Sequence, residues 1–259
     1  MSAPSVTQYD PVAESYERWI VPKFRVVAEA LAAFADPGED ADILEVGAGT
    51  GGLSRQVLAR LGTRGRLTVT DLSSGMLAVA ERVVPGAGAA GRSPDVAFQE
   101  ADLGRLPFSD GRFDMVLSQF TPLLDTPGSI REAARVLRSG GRLAAAIWGL
   151  EYGELTLLNA ARSDTGIGPY PAVPVATLVR RLRRAGFHGI ETQTRAFDVS
   201  HDDVEAYLTY RSSFGAPTAW STDVVDRYRH AFRSRVAATW GSGPVVTDWQ
   251  VRLIAATRR

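Results

Sequence analysis

Three kinds of residue in this 259-residue chain carry chemistry by type and spacing: glycines that free a backbone turn, acids that end apolar runs, and three histidines. The glycines lie in Ile43-Leu44-Glu45-Val46-Gly47-Ala48-Gly49-Thr50-Gly51-Gly52. Residues 43–46 have buried-strand character, and a helix-like run over 53–61 follows at once. Gly47, Gly49 and Gly51 let the chain turn sharply and let a ligand approach the main chain more closely than a Cβ would allow. The helix start then presents free N–H groups. By geometry this is a nucleotide-cofactor loop, and two spacings compete for it. Gly47, Gly49 and Gly52 satisfy the dinucleotide fingerprint G-x-G-x-x-G. Gly47, Gly49 and Gly51 behind Glu45 satisfy E-x-G-x-G-x-G, and Glu45 suits a cationic group where it would repel a pyrophosphate.

Two acids add to the loop. Arg66 to Asp71 reads as a strand ending in a carboxylate, which could accept both ribose hydroxyls of an adenosine. That supports adenosine without choosing between cofactors. Asp71 could instead cap a helix over 75–84, a role open to Ser73 and Ser74 as well. Val96 to Leu103 is a third such run, and Asp102 beside Leu103 could receive an adenine amino group between apolar neighbours.

The ordered segments LEVGAGTG, TDLS-x-x-ML, EADLGRLPF, FDMVLSQF and REAARVLRSGGRL resemble the class I S-adenosylmethionine (SAM)-dependent methyltransferases. More narrowly, they resemble the small-molecule branch containing the ubiquinone/menaquinone-type enzymes, over roughly residues 40–150. The resemblance implies SAM as cofactor and S-adenosylhomocysteine as product. It places Glu45, Gly47, Ala48, Gly49 and Gly51 at the methionine portion, and Asp71, Leu72 and Met76 at the ribose side. Ala101, Asp102 and Leu103 fall at the adenine, and Gln119 and Phe120 at the methionine end. The segment Tyr9-Asp10-Pro11-Val12-Ala13-Glu14-Ser15-Tyr16 resembles the family's Y-D-x-x-A-x-x-Y, in which a tyrosine closes over the cofactor; Tyr16 is the candidate here.

Around these residues the chain alternates strands (42–47, 66–71, 95–100, 113–119, 142–148) with helices (52–61, 75–84, 128–138). That alternation predicts an α/β fold with a doubly wound, mostly parallel sheet. A helix over 178–185 and strands over 189–197 and 249–257 bring the sheet to seven strands, the last pair forming the family's antiparallel hairpin. One domain over 1–259 is expected, with a helical lid over 1–36, broken at Pro22. Residues 150–177, a long connection, and 200–247, with helices near 203–214 and 224–240, are insertions expected to cap the substrate. Tyr207, Tyr210, Phe214, Trp220, Tyr228, Phe232 and Trp240 make the second insertion aromatic, which favours an extended hydrophobic small-molecule acceptor.

Composition narrows the class. With 45% hydrophobic residues the chain can bury one large core. Zero formal charge disfavours a nucleic-acid partner. The absence of cysteine removes disulfides and thiolate catalysis. No apolar run is long enough to span a membrane and the first residues lack a signal pattern, so the cytoplasm is the expected location. Histidine suits base catalysis best. His201 and His230 fall in the second insertion and are the weak candidates; His188 reads as structural. Asp125, Glu151 and Glu154 follow strands four and five. No metal set is visible. After strand four, Thr121-Pro122-Leu123-Leu124-Asp125 departs from the family's histidine or proline-aspartate pair.

The reading is in-line methyl transfer to a hydrophobic acceptor, a bacterial secondary metabolite, by a monomer or homodimer. The alternatives are a SAM-binding cyclase that does not consume SAM and a non-catalytic SAM-binding partner subunit.

Overall fold

A computed structural model describes residues 9–85, 93–149, 153–170, 173–215, 217 and 220–259. In chain order the elements are α1 (Ala13–Trp19), α2 (Val21–Ala35), β1 (Asp42–Val46), α3 (Gly52–Leu58), β2 (Arg66–Asp71), α4 (Ser74–Val83), β3 (Asp95–Glu100), β4 (Phe113–Gln119) and α5 (Pro127–Val136). These are followed by β5 (Leu137–Trp148), α6 (Gly153–Asp164), α7 (Val175–Arg184), β6 (Phe187–His201), α8 (Val204–Ser212), α9 (Thr222–Trp240) and β7 (Val245–Arg258).

The strands form one sheet in the order β3-β2-β1-β4-β5-β7-β6. β1 pairs in parallel with both β2 and β4, and every one of its residues is buried. Helices cover both faces, so neither side of the strand alternates toward water: apolar Ile43, Leu44 and Val46 are buried on both faces, and the acids Asp42 and Glu45 are buried with them. One core layer packs α2 and α3 against the sheet, and the other packs α5 and α7. α2 buries Phe24, Val27, Ala28, Leu31, Ala32 and Ala35, a helical stripe, and Pro22 stands in its first turn, where the missing N–H costs nothing. The order reverses between β1 and β4, which opens a crevice at the strand C-terminal ends.

Two elements depart from the sequence expectation. The connection over 150–177 contains α6, because its breakers (Gly166, Gly168, Pro169) all lie beyond residue 164. The last two strands are also longer than expected. β5 meets β7 only as far as Trp148↔Val251, whereas the β6–β7 ladder runs on to His201↔Val245. This extension folds back over α2, where Lys23 Nζ donates to the Ser200 carbonyl at 2.6 Å. β6 is mostly exposed along its length, so periodicity alone marks its ends poorly. α8 and α9 continue from the extension, and α9 packs on α6 with an Arg235–Asp164 pair between them.

Candidate functional site

The glycine loop leaves β1 at the crevice. Gly47, Gly49 and Gly51 have φ of 65°, 58° and 82°, the left-handed region that disfavours side chains. At Gly47 a Cβ would overlap the Thr121 methyl, and at Gly51 a Val84 methyl. At Gly49 it would meet only the Tyr16 ring, at 3.7 Å, so that stretch of main chain faces the site. Ala48 N–H donates to the Thr70 carbonyl and the Gly51 N–H to the Ala48 carbonyl, which fixes the bend.

Asp71 stands beside the loop. Its Oδ2 accepts the Gly49 N–H at 2.7 Å and its Oδ1 the Ser73 N–H at 2.9 Å. Two carboxylate oxygens offer about four acceptor positions, more than the backbone amides take, so Asp71 keeps acceptor capacity for a hydroxyl donor. Burial raises the Asp71 pKa, against the lowering effect of the amides of Ser73 and Gly49. Ser73, and not Asp71, caps α4: its hydroxyl accepts the Met76 N–H at 3.1 Å. Met76 is buried against Ala13 and Val79, while Leu72 is exposed. Asp102 is exposed with its Oδ1 on the Gly104 N–H at 2.7 Å, between half-buried Ala101 and Leu103.

Glu45 is 1% exposed, and its Oε2 accepts the Ser54 hydroxyl at 2.6 Å. Burial pushes its pKa up to about 8. Gln119 ends β4, which runs beside β1 in the register Glu45↔Leu117. Its Oε1 is buried and has no partner among the described residues. Phe120 follows with φ of 55°, a costly conformation for a side-chain-bearing residue and one that clusters at functional sites. Its ring stacks on Trp148 at 4.0 Å and packs on Phe24 at 4.8 Å.

The N-terminal helices reach the same place. Glu17 accepts the Thr50 hydroxyl at 2.6 Å and pairs with Arg55 at 2.8 Å, which ties α1 to the glycine loop. Asp10 Oδ1 accepts the Gly75 N–H at 3.1 Å and the Ser73 hydroxyl. Tyr16 lies edge-on to Tyr9, Phe24 and Phe214. Phe24, Trp148, Glu17 and Thr50 were missed from sequence: Phe24 reads as one more core position of α2, and a lone Glu or Thr carries no signal until the fold pairs them.

The histidines separate. His201 is 4% exposed, packed on Tyr207 and Tyr210, and burial, with Lys23 and Arg211 nearby, drives its pKa down to about 4. His230 and His188 are exposed, as is Asp125. Glu151 lies outside the described residues. Glu154, buried at the start of α6, accepts the Tyr207 hydroxyl and the Trp249 indole N–H, both at 2.8 Å. Among the described residues no group of three or more His, Cys, Asp or Glu could hold a metal ion, and no helix is long and apolar enough to cross a membrane.

Comparison with known proteins agrees with this geometry. A methyltransferase-domain family model matches residues 43–141. The chain is 30% identical over 216 residues to a malonyl-[acyl-carrier protein] O-methyltransferase of Geobacter sulfurreducens, covering 80% of this chain and 78% of that one. It is 35% identical over 103 residues, 39% of each chain, to the ubiquinone/menaquinone biosynthesis C-methyltransferase UbiE of Pseudomonas aeruginosa. In fold it is similar to the Haemonchus contortus phosphoethanolamine N-methyltransferase 2 solved in complex with SAM, with a TM-score of 0.62 at 21% identity, covering 97% of this chain and 58% of that one.

The fold and loop define a class I methyltransferase architecture. This chain belongs to the SAM-dependent methyltransferases, and it is an enzyme of that class using SAM as its cofactor. Its own residues fit the group: Asp71 keeps free acceptor positions, the Gly49 main chain is bare, and the orphaned Gln119 Oε1 is an acceptor in want of a donor.

Proposed function

We propose that the enzyme methylates a hydrophobic small molecule of bacterial secondary metabolism, in the cytoplasm, by in-line displacement. The observation that carries this reading is the aromatic wall beside the glycine loop. Phe120, Trp148, Phe24 and Phe214 pack ring to ring, with Tyr16 between Phe214 and Gly49. SAM supplies an already activated methyl group, so the protein's task is alignment and exclusion of water.

In this reading Asp71 accepts the ribose hydroxyls, beside Leu72 and Met76. Asp102, with Ala101 and Leu103, receives the adenine amine. Glu45, Ala48 and the three loop glycines, with Gln119 and Phe120, hold the methionine arm. Tyr16 and the helices of residues 1–36 act as a lid, and the insertions 150–177 and 200–247 cap the acceptor. Closure is secured by the Glu17 links to Thr50 and Arg55. Neither His201, sealed among tyrosines with a low pKa, nor exposed His230 is assigned as base. Alignment and desolvation carry the rate.

Incubation with methyl-labelled SAM and a panel of apolar hydroxyl, amine and carbon acceptors tests the proposal by mass spectrometry. Labelled acceptor and an equal amount of S-adenosylhomocysteine are expected. Acceptor converted without S-adenosylhomocysteine would mark a cyclase, and SAM left intact throughout would sink the reading.

A further inference from the structure

Arg211 sits in α8 with its guanidinium 4.8 Å from the Phe214 ring centroid and 6.0 Å from that of Tyr210. Its side chain is 18% exposed, and among the described residues its one hydrogen bond is a 3.4 Å contact to Glu154 Oε1. A guanidinium has five N–H donors in a rigid fork, and the partial exposure of this side chain leaves its unpaired N–H groups open to a ligand. The molecule shows how a well-filled arginine looks. Arg135 donates to both Glu132 oxygens at 2.8 Å, to Asp110, and to the carbonyls of Phe108 and Leu106.

Glu154 does not need Arg211 as its sole partner, since Tyr207 and Trp249 already donate to its two oxygens at 2.8 Å. The fork is therefore oriented by Glu154 and largely unspent. A second buried group nearby is also unspent: His201 Nε2 has no partner among the described residues, and its ring packs on the same Tyr210 at 4.8 Å. The cluster connects directly to the cofactor loop. Phe214, under Arg211, lies 6.1 Å from the Tyr16 ring, which faces the Gly49 main chain.

We propose that Arg211 anchors the carboxylate of the methyl acceptor, with Tyr210 and Phe214 as walls. The acceptor is then an apolar carboxylic acid whose carboxylate lies at the α8 end while its body runs along the aromatic wall toward the loop. A planar fork between aromatic faces is suited to this, matching a carboxylate with two parallel bonds and excluding water from them. The inference rests on the methyltransferase reading and adds the acceptor class to it.

The test titrates the enzyme, saturated with S-adenosylhomocysteine, with matched acids and amides: naphthoate against naphthamide, cinnamate against cinnamamide, octanoate against octanamide. At least one acid is expected to bind about tenfold or more tighter than its amide, the scale of a charge-assisted hydrogen bond. That preference disappears in Arg211→Met and is partly kept in Arg211→Lys, while S-adenosylhomocysteine affinity stays within about twofold in both. Absence of any acid-over-amide preference in the wild type, lack of all probe binding included, overturns the proposal without reference to any variant. An intact preference in Arg211→Met overturns it too. Loss of S-adenosylhomocysteine binding by the wild type would instead remove the methyltransferase reading, and this proposal with it.

Discussion

Glu45 titrates near 8 in the folded protein against an ordinary value of 4.5, because burial penalises its charge more than Ser54 stabilises it. The folded state thus holds a proton that the unfolded chain has released, and stability falls as pH rises from about 4.5 to about 8. Glu45→Gln removes that titration. Its melting temperature relative to wild type is expected to improve between about pH 5 and about pH 8, as read by thermal denaturation. A pH slope as steep as the wild type's would contradict the assignment. Gly51→Ala is expected to destabilise by about 2 kcal/mol or more in denaturant titration, since it combines a strained φ of 82° with overlap on Val84. At this scale the sequence was most legible. The bare bend and the acid ending β2 are local, and their chemistry follows from residue type and spacing. Phe24 and Trp148 were not legible, because their meaning arises only when residues far apart in the chain meet at Phe120.

Between elements, the N-terminal helices are held over the loop by a few polar links. Glu17 joins Thr50 and Arg55, Glu14 joins Arg82, and Asp10 joins the start of α4. Exposed pairs contribute little, so the Glu14–Arg82 link should be dispensable. The part-buried Glu17 bonds should not be. Glu17→Ala is expected to speed amide exchange in α1 about tenfold while leaving β1 and β4 unchanged, as hydrogen exchange would show. Equal protection in α1 would mean that packing by Tyr16 and Ile20 holds the helix alone. The parallel strands were readable because buried apolar runs alternate with helical stripes. α6 was not, since glycine and proline further along that segment obscured a helix ending before them. The β6–β7 extension was under-read for a related reason. Its outer face is wet, so the strand lacks a sustained apolar signature.

Across the whole molecule, one sheet is shared by both core layers; α6 and α7 follow its interior strand β5, and α8 and α9 link edge strand β6 to interior strand β7. A ligand held at the β1–β4 crevice should therefore stabilise the entire chain. S-adenosylhomocysteine at about 100 times its Kd is expected to add about 2.7 kcal/mol, raising the melting temperature by about 5 to 10 °C in a single transition. A ligand-dependent shift confined to one of two separate transitions would show that the segments beyond β5 fold independently of the cofactor site.

The central claim is that Asp71, braced by the amides of Gly49 and Ser73, grips the cofactor's sugar beside the bare loop. Isothermal calorimetry with S-adenosylhomocysteine on the wild type, Asp71→Asn and Asp71→Ala tests it most directly. The account predicts clear wild-type binding, a partial loss in Asp71→Asn, and a loss of at least about tenfold in Asp71→Ala. Undiminished affinity in Asp71→Ala, or none in the wild type, would contradict it.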